Sequence, residues 1–278
     1  MKLIVTHLMP DLDAIASVWL IKKFMPEWKD APVQFVAAGS TLDKTPPDSN
    51  PDITHVDTGN GKFDHHQSNE NTCATQLLLT YLIAHHLVDI RLQPALERLV
   101  AFVNLTDHFG EVRFPDAPAD IYDFSLHQLI NGLNHTMNDS NMVIAAVFPL
   151  LEATLQNLRN KVRAEEEIKK GQRFQSKWGD SLIMETRNEE AMKLAMKMGI
   201  NLVIRKDPRN GGVRIKSLPS KTSDLTELYE AIIKKDTVGK WYLHPSKNVL
   251  LNTSSINPAL IPTQLTLPDI IEIIGHIH

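Results

Sequence analysis

The sequence predicts an α/β fold: a parallel-sheet N-terminal domain with covering helices, followed by a smaller C-terminal α/β domain. That expectation rests on three features. Strand-like and helical patterns alternate through the first ninety residues, which is the order that builds a parallel sheet between helices. A highly charged stretch at 158–173, LRNKVRAEEEIKKGQR, then opens no new apolar face. A shorter α/β alternation resumes near 181. The 278 residues also fit two domains at roughly 150 residues each. The boundaries read as 1–157 for the N-terminal domain, 158–175 for a helical linker and 176–278 for the C-terminal domain.

The elements follow in order. Within KLIVTH (2–7) the apolar run Leu3-Ile4-Val5 ends in polar residues before Pro10, as a buried strand does. Residues 12–25 have helical spacing, with Ile15, Val18, Trp19 and Ile21 sharing a broad apolar face. VQFVA (33–37) reads as a second strand, and the Pro-, Ser- and Asp-rich stretch 39–52 as loop. ITHVDT (53–58) is a third strand closed by Gly59-Asn60-Gly61, and KFDHH (62–66) a short strand or its end. Helices are expected at about 72–87, 92–107, 123–133 and 141–172. In the C-terminal domain, strands are expected at 181–186, 200–206 and 212–218. Helices are expected there at 188–198, 226–235 and 267–275.

Composition narrows the function classes. Hydrophobic residues at 42% and charged residues at 22% describe an ordinary globular chain. Cys73 is the sole cysteine, which excludes an intrachain disulfide and a thiolate zinc cage. The N-terminus MKLIVTHLMPDLDA turns acidic too soon for a signal peptide. No stretch reads as the ~20 apolar residues of a membrane span. A cytoplasmic protein with no membrane partner is therefore expected. A net charge of -4 argues against a long-duplex surface, which relies on many phosphate contacts.

Chemistry concentrates in two local patterns and one outlier. His7-x3-Asp11-x-Asp13 lies between a strand and a helix. Asp64-His65-His66 follows Asp57 at the end of another strand, and Asp107 sits in VNLTDHFG (103–110) at a helix end. Ligands of parallel sheets collect beyond the carboxyl ends of the strands, where His7 and Asp57 fall. Imidazoles and carboxylates suit divalent metals such as Mn²⁺ and Mg²⁺. Bridging carboxylates can hold two ions about 3.5–4 Å apart. Each piece alone has a plainer reading. Asp11 suits an N-cap and Asp13 the positive start of a helix. Asp57 also suits a turn before Gly59, and Asp107 a solvated helix end. Their combination at strand ends favours a metal site.

THLMPDLDA (6–14), HVDTG (55–59) and FDHHQS (63–68) resemble the Asp-His-His, or DHH, phosphoesterase superfamily. Asp107 falls where its fourth motif would lie, and the helix TCATQLLLTYL also looks like the one that follows its histidine pair. The resemblance covers about residues 1–110. That superfamily includes single-strand DNA exonucleases, oligoribonucleases, cyclic-dinucleotide phosphodiesterases, manganese pyrophosphatases and exopolyphosphatases. The resemblance implies two divalent ions, Mn²⁺ preferred, with Mg²⁺ or Co²⁺ as substitutes. His7 and Asp11 would ligate one ion and Asp13 the other. Asp57 would bridge them, and His65 and Asp107 would complete the ligand set of the second ion. Asp64 would orient a histidine, and His66 would face the substrate phosphate as a donor or acid. A water between the ions would attack phosphorus in line, without a covalent enzyme intermediate. Cys73 has no part in this chemistry and reads as a small buried helix residue.

In that superfamily the C-terminal domain usually binds substrate, with the active site in the cleft between domains. Two segments here are candidates. RKDPRNGGVRIK (205–216) offers Gly211 and Gly212 for close approach to a phosphate, with Arg214 beside them. The plainer reading is a hairpin turn on a charged surface. Many members follow these glycines with a histidine, whereas this chain has Val213, which counts against the phosphate reading. GKWYLHPSKNVLLNTSS (239–255) joins Trp241, His244 and Lys247 to Lys240 and Tyr242, a set able to stack bases and hold phosphates. Ser246, Asn252, Ser254 and Ser255 add neutral donors. The plainer reading puts Trp241 and Tyr242 in the core. His127, Asn131 and His135 read as ordinary polar residues near a helix end, with cleft lining the alternative.

The expected function is a metal-dependent phosphohydrolase. It is foremost a phosphodiesterase or exonuclease acting on short single-stranded oligonucleotides or small nucleotides. The alternatives are a phosphoanhydride hydrolase of the pyrophosphatase or exopolyphosphatase type, and a non-catalytic metal- or nucleotide-binding regulator. The partner is a short single-stranded nucleic acid or a small phosphorylated substrate. The sequence sets no oligomeric state.

Overall fold

The computed structural model of the chain describes residues 1–219, 223–254 and 258–277. The chain divides into two compact units, Met1–Arg159 and Asn160–His278. Ser255 and His278 lie outside the described residues.

The first unit is built on three parallel strands in the order β2-β1-β3. They are β1 (Leu3–His7), β2 (Val33–Val36) and β3 (Ile53–His55). The middle strand pairs Ile4 with Val33 and Val5 with His55. Between β1 and β2 runs α1 (Leu12–Phe24). Its N-cap is Asp11, whose side chain accepts the Ala14 N–H at 3.0 Å, and Lys22 and Lys23 lie in its last turn. Both features favour a helix at that place. Every residue of α1 from Leu12 to Ile21 is buried, not only the expected apolar face. The helix is enclosed because α2 (Ala74–Ala84), α3 (Gln93–Asp107) and α4 (Leu126–Thr136) all pack on it. Its polar Ser17 is satisfied inside that packing by the Thr75 hydroxyl at 3.0 Å.

Three expectations are corrected in this unit. The third strand stops at His55 rather than 58, because the chain turns through left-handed backbone at Asp57 (φ 55°), Gly59 (φ 82°) and Asn60 (φ 58°). KFDHH forms turns instead of a strand. Its register is set by the Asp57 N–H donating to the Phe63 carbonyl at 2.9 Å. Helix α4 begins at Leu126 because Asp120–Phe124 forms a separate 3₁₀ turn.

The boundary between the units falls inside α5 (Ser140–Lys170). Contrary to the sequence expectation, this helix is long and apolar enough to cross a membrane by length and composition alone. Yet Val143, Val147, Leu151 and Leu155 on it are buried. Its Glu152 accepts from Trp19 Nε1 at 2.8 Å and pairs with Lys23. These are the contacts of a helix packed on a folded unit.

The second unit holds a six-stranded mixed sheet in the order β4-β5-β6-β7-β9-β8. The strands are β4 (Gln172–Ser176), β5 (Gly179–Glu185), β6 (Leu202–Lys206), β7 (Val213–Ser217), β8 (Tyr242–Leu243) and β9 (Val249–Leu251). Side chains alternate between its faces, as strand geometry requires. Ile183, Leu202, Ile204 and Ile215 meet α7 (Thr226–Lys235) and α8 (Leu267–Gly275) on one side. Leu182, Met184 and Val203 meet Ala164 and Ile168 of α5 and α6 (Glu189–Lys197) on the other. The expected helical linker over 158–175 is corrected: its end, from Gln172, is the edge strand β4, paired antiparallel with β5. Strands β8 and β9 add to the expected set, since two or three residues are too few for a readable alternation.

Candidate metal centre

The first unit gathers His7, Asp11, Asp13, Asp57, His65 and Asp107 at one place. His7 ends β1, Asp57 follows β3, Asp11 and Asp13 open α1, and Asp107 closes α3. All but Asp107 therefore reach the site from loops at the carboxyl ends of strands or from the helix start that follows one. Asp57 is central. Its Oδ2 lies 3.3 Å from His7 Nε2, and its Oδ1 lies 3.5 Å from His65 Nε2. His65 Nε2 is in turn 3.5 Å from Asp107 Oδ2 and 3.9 Å from Asp13 Oδ2. His7 Nε2 is 3.9 Å from Asp11 Oδ1.

The left-handed backbone at Asp57 is uncommon for a residue with a Cβ, and Asp tolerates it better than most. Gly59 supports it: a Cβ there would meet Thr41 Cγ2 at 2.9 Å, and its own φ is +82°. Only glycine fits both demands, so the HVDTG turn is shaped to aim the carboxylate.

Neighbouring hydrogen bonds orient the imidazoles. His7 Nδ1 lies 2.9 Å from the Leu8 carbonyl, which can only accept, so Nε2 is the atom offered to the carboxylates. His66 Nδ1 lies 2.7 Å from Asp64 Oδ1, and its own N–H donates to the same oxygen at 3.2 Å. The other Asp64 oxygen accepts the Asn60 N–H at 2.6 Å. Asp64 is buried while the His66 side chain is 60% exposed. Buried Asp64 thus holds the ring of a solvent-facing histidine with Nε2 outward.

Asp13 has a second task. Its two oxygens accept the Ala74 and Thr75 N–H groups, both at 2.8 Å. These are orphan donors of the first turn of α2. Each oxygen keeps one lone pair for another partner.

The donor set fits divalent metal. Asp57 Oδ1 and His65 Nε2 are both buried without a hydrogen-bond partner, although most such atoms in folded proteins are paired. Three overlapping groups have ligand atoms close enough to converge on an ion: His7 with Asp11 and Asp57, Asp57 with His65 and His66, and His65 with Asp107 and His108. Electrostatics show the same demand for positive charge. Burial, and then repulsion from Asp57, push the Asp13 carboxyl up to about 7. Burial raises Asp107 to about 6. The Asp57 carboxylate, 3.5 Å from Nε2, lifts His65 to about 9 against burial. Burial works to lower His7, but its hydrogen bonds to Asp57 and the Leu8 carbonyl outweigh it and raise it to about 9.

One side of this site carries little weight in the sequence. A cavity of about 350 Å³ is walled by Asp11, Asp13 and Asp107 and also by Phe109, Glu111, His127, Gln128 and Asn131. By sequence, His127 and Asn131 read as helix-end polar residues, with cleft lining as the alternative, and the structure places both on this cavity wall. The available signal is the spacing of His127, Gln128 and Asn131 on one helix, which places them near one another. His108, beside Asp107, joins the third ligand group.

The expected substrate residues of the second unit are each engaged nearby. Trp241 is 8% exposed within the core under α7 and α8, and its Nε1 donates to Asp236 at 2.7 Å. It does not offer a base-stacking face. Gly211 and Gly212 form the β6–β7 turn. Gly211 N donates to the Asp207 carbonyl at 2.8 Å and Gly212 N to Asn210 Oδ1 at 2.9 Å. Those N–H groups are already used, and a Cβ on Gly212 would lie 2.2 Å from Thr253 Oγ1. The glycines thus serve close packing of the chain on itself rather than a phosphate. Arg214 stands 3.5 Å from Glu189, and Lys247 pairs with Asp224 at 2.9 Å. His244 Nδ1 meets the Ser246 hydroxyl at 2.7 Å.

A family model described as the ChrB C-terminal domain matches residues 4–158. No curated protein matches the chain. Solved structures with some likeness include RecJ from Thermus thermophilus in complex with Mg²⁺, at 13% identity and TM-score 0.32 over 99% of this chain and 49% of RecJ. An exopolyphosphatase-related protein from Bacteroides fragilis aligns at 12% identity and TM-score 0.27, over 98% of this chain and 89% of its own. A putative family II inorganic pyrophosphatase from Methanococcus jannaschii aligns at 12% identity and TM-score 0.23, over 99% of each chain. The chain spans about half the length of RecJ.

Proposed function

The chain belongs to the ChrB C-terminal domain family over residues 4–158, and from the geometry of its acidic, histidine-rich site we propose that it is a metal-dependent phosphohydrolase. One observation carries the reading. The buried, unpartnered Asp57 Oδ1 and His65 Nε2 face each other at 3.5 Å within a ring of further carboxylates. The motif resemblance to DHH phosphoesterases concerns these same residues.

His7, Asp11, Asp13, Asp57, His65 and Asp107 would hold two divalent cations, with Mn²⁺ or Mg²⁺ suited to the oxygen and imidazole donors. Such cations neutralise charge on phosphoryl oxygens and lower the pKa of a water. The chain does the rest. Asp57 reaches both halves of the donor set. His7 and His65 present Nε2 inward. Asp64 fixes His66 with Nε2 outward, so that when the ring carries a proton on both nitrogens Nε2 can donate to a phosphate oxygen or protonate a leaving oxygen. Asp13 ties the donor set to the start of α2, so the loops cannot drift apart.

The proposed substrates are phosphodiesters in short single-stranded oligonucleotides or small nucleotides. Among the described residues, no lysine or arginine lines the cavity beside the site. A diester carries one charge per phosphate, whereas pyrophosphate requires a tight cluster of cations. The anhydride alternative is the weaker for that reason.

The test is hydrolysis in Mn²⁺ of short single-stranded DNA and RNA, a cyclic dinucleotide and pyrophosphate, with Asp57→Ala as control. Mononucleotide release that disappears in the variant is the expected result. Phosphate released from pyrophosphate alone would establish the anhydride reading. Metal binding without turnover of any substrate would replace the enzyme with a binding regulator.

A further inference from the structure

The cavity beside the metal-ligand residues has a second wall that the phosphohydrolase reading does not use. It comes from the 3₁₀ turn Gly110–Arg113, the residue before it and the first turns of α4. Helix α4 is anchored to the β1–α1 loop by Asn134 Nδ2 donating to the Pro10 carbonyl at 3.0 Å. The wall is therefore held against the elements that carry His7 and Asp11.

Three features define what this wall can bind. First, His127 Nε2 and Glu111 Oε2 are hidden from solvent and have no hydrogen-bond partner. The His127 ring is fixed meanwhile by the Ser125 hydroxyl, 3.2 Å from Nδ1, and by the edge of Phe102 at 5.9 Å. Burial lowers the pKa of this histidine despite the nearby Glu111, so its imidazole is neutral and adds no cation to the wall. Second, Phe109 is 73% exposed and sits in left-handed backbone at φ 54°. Gly110 makes that turn feasible, since a Cβ there would lie 2.8 Å from the Leu105 carbonyl oxygen. An exposed phenylalanine on strained backbone gains nothing from packing, and such strain gathers at binding sites. Third, among the described residues that line the cavity on this side there is one carboxylate, Glu111, and no lysine or arginine, so this side repels a second phosphate.

An aromatic face, a hydrogen-bond acceptor, a neutral imidazole and the amides of Gln128 and Asn131 do not recognise an anion. They recognise a planar heterocycle bearing its own donors and acceptors. We propose that Phe109, Glu111 and His127 form a subsite for a nucleobase attached to the scissile phosphate, with the base stacked on Phe109 and its edge read by His127 and Glu111. The volume, about 350 Å³, lies within the range of small-ligand pockets. This rests on the phosphohydrolase reading and adds where the base of the nucleotide is recognised, on the first unit.

The experiment compares a thymidine dinucleotide with its counterpart in which both bases are replaced by hydrogen, in Mn²⁺, for the wild type, Phe109→Ala, Phe109→Tyr and His127→Ala. Loss of a base–aromatic stack predicts that Phe109→Ala loses about tenfold or more in kcat/KM on the dinucleotide relative to the base-free compound. Phe109→Tyr keeps a ring and restores the preference to within about threefold. His127→Ala raises KM for the dinucleotide more than for the base-free compound. Equal losses on both compounds overturn the subsite and leave the phosphohydrolase reading intact, as does a wild type that shows no preference between them. A wild type that hydrolyses neither compound overturns both.

Discussion

Replacing Asp64 with asparagine keeps the shape of a buried side chain and removes its ability to accept at both ends. Its Oδ2 takes the Asn60 N–H at 2.6 Å, while its Oδ1 serves the His66 N–H and His66 Nδ1. An asparagine has one oxygen. If that oxygen faces His66, the amide NH₂ opposes the Asn60 N–H and leaves it unsatisfied. If it faces Asn60, the NH₂ opposes the His66 N–H and forces Nδ1 to accept, so the proton moves to Nε2. Either way one charge-assisted hydrogen bond is lost, about 2 kcal/mol. For a unit of this size that lowers Tm by roughly 4–8 °C. The misdirected imidazole should lower kcat/KM or metal affinity by about 10–100-fold, the usual effect of removing a group that orients a metal-site residue. The assay pairs Mn²⁺-dependent hydrolysis of the dinucleotide with thermal melting of the same sample. A variant within twofold of wild type in activity and metal affinity, and melting within a degree of it, would refute the argument that Asp64 orients His66.

Other outcomes follow from the same geometry. Mn²⁺ at a hundred times its Kd should raise stability by about 2.7 kcal/mol. Asp57→Ala should abolish that increment, and an unchanged Tm of the wild type in millimolar Mn²⁺ would remove the site. Trp241→Phe keeps an aromatic ring but deletes the indole N–H that donates to Asp236. It should cost about 1–3 kcal/mol in denaturant unfolding and leave dinucleotide kcat/KM alone, whereas a stacking role would reverse that pattern. At Asp236, burial pushes the carboxyl up, but hydrogen bonds from Thr263, the Gly239 N–H and Trp241 outweigh it and hold it below the ordinary 3.8. A depressed carboxyl contributes stability that is present above its unfolded value and lost as pH falls through the lower folded one. Asp236→Asn should therefore flatten the acid limb of the Tm–pH curve, and an unaltered limb would contradict the assignment. Gly212→Ala places a Cβ against Thr253 and should cost about 1–3 kcal/mol by overpacking; a neutral result in thermal melting would mean that the turn yields freely.

Local rules alone specify most of the elements and half of the site. Polar residues at strand ends mark His7 and Asp57, an N-cap position marks Asp11, and three short motifs gather the candidate ligands. Such patterns act over a few residues, so they survive without knowledge of the fold. Long-range packing sets what those residues are used for beyond that. Asp13 captures α2 across 61 residues of sequence. Trp241 belongs to the core because α7 and α8 close over it. Gly212 is needed because Thr253 lies against it. His127 matters because α4 returns to Pro10, with Asn134 spanning a separation of 124 residues. Hydrophobic periodicity reports which face of an element is apolar and carries no information on which distant element covers it. The metal-ligand candidates are therefore legible in the sequence, and the wall facing them is set only by how the helices pack.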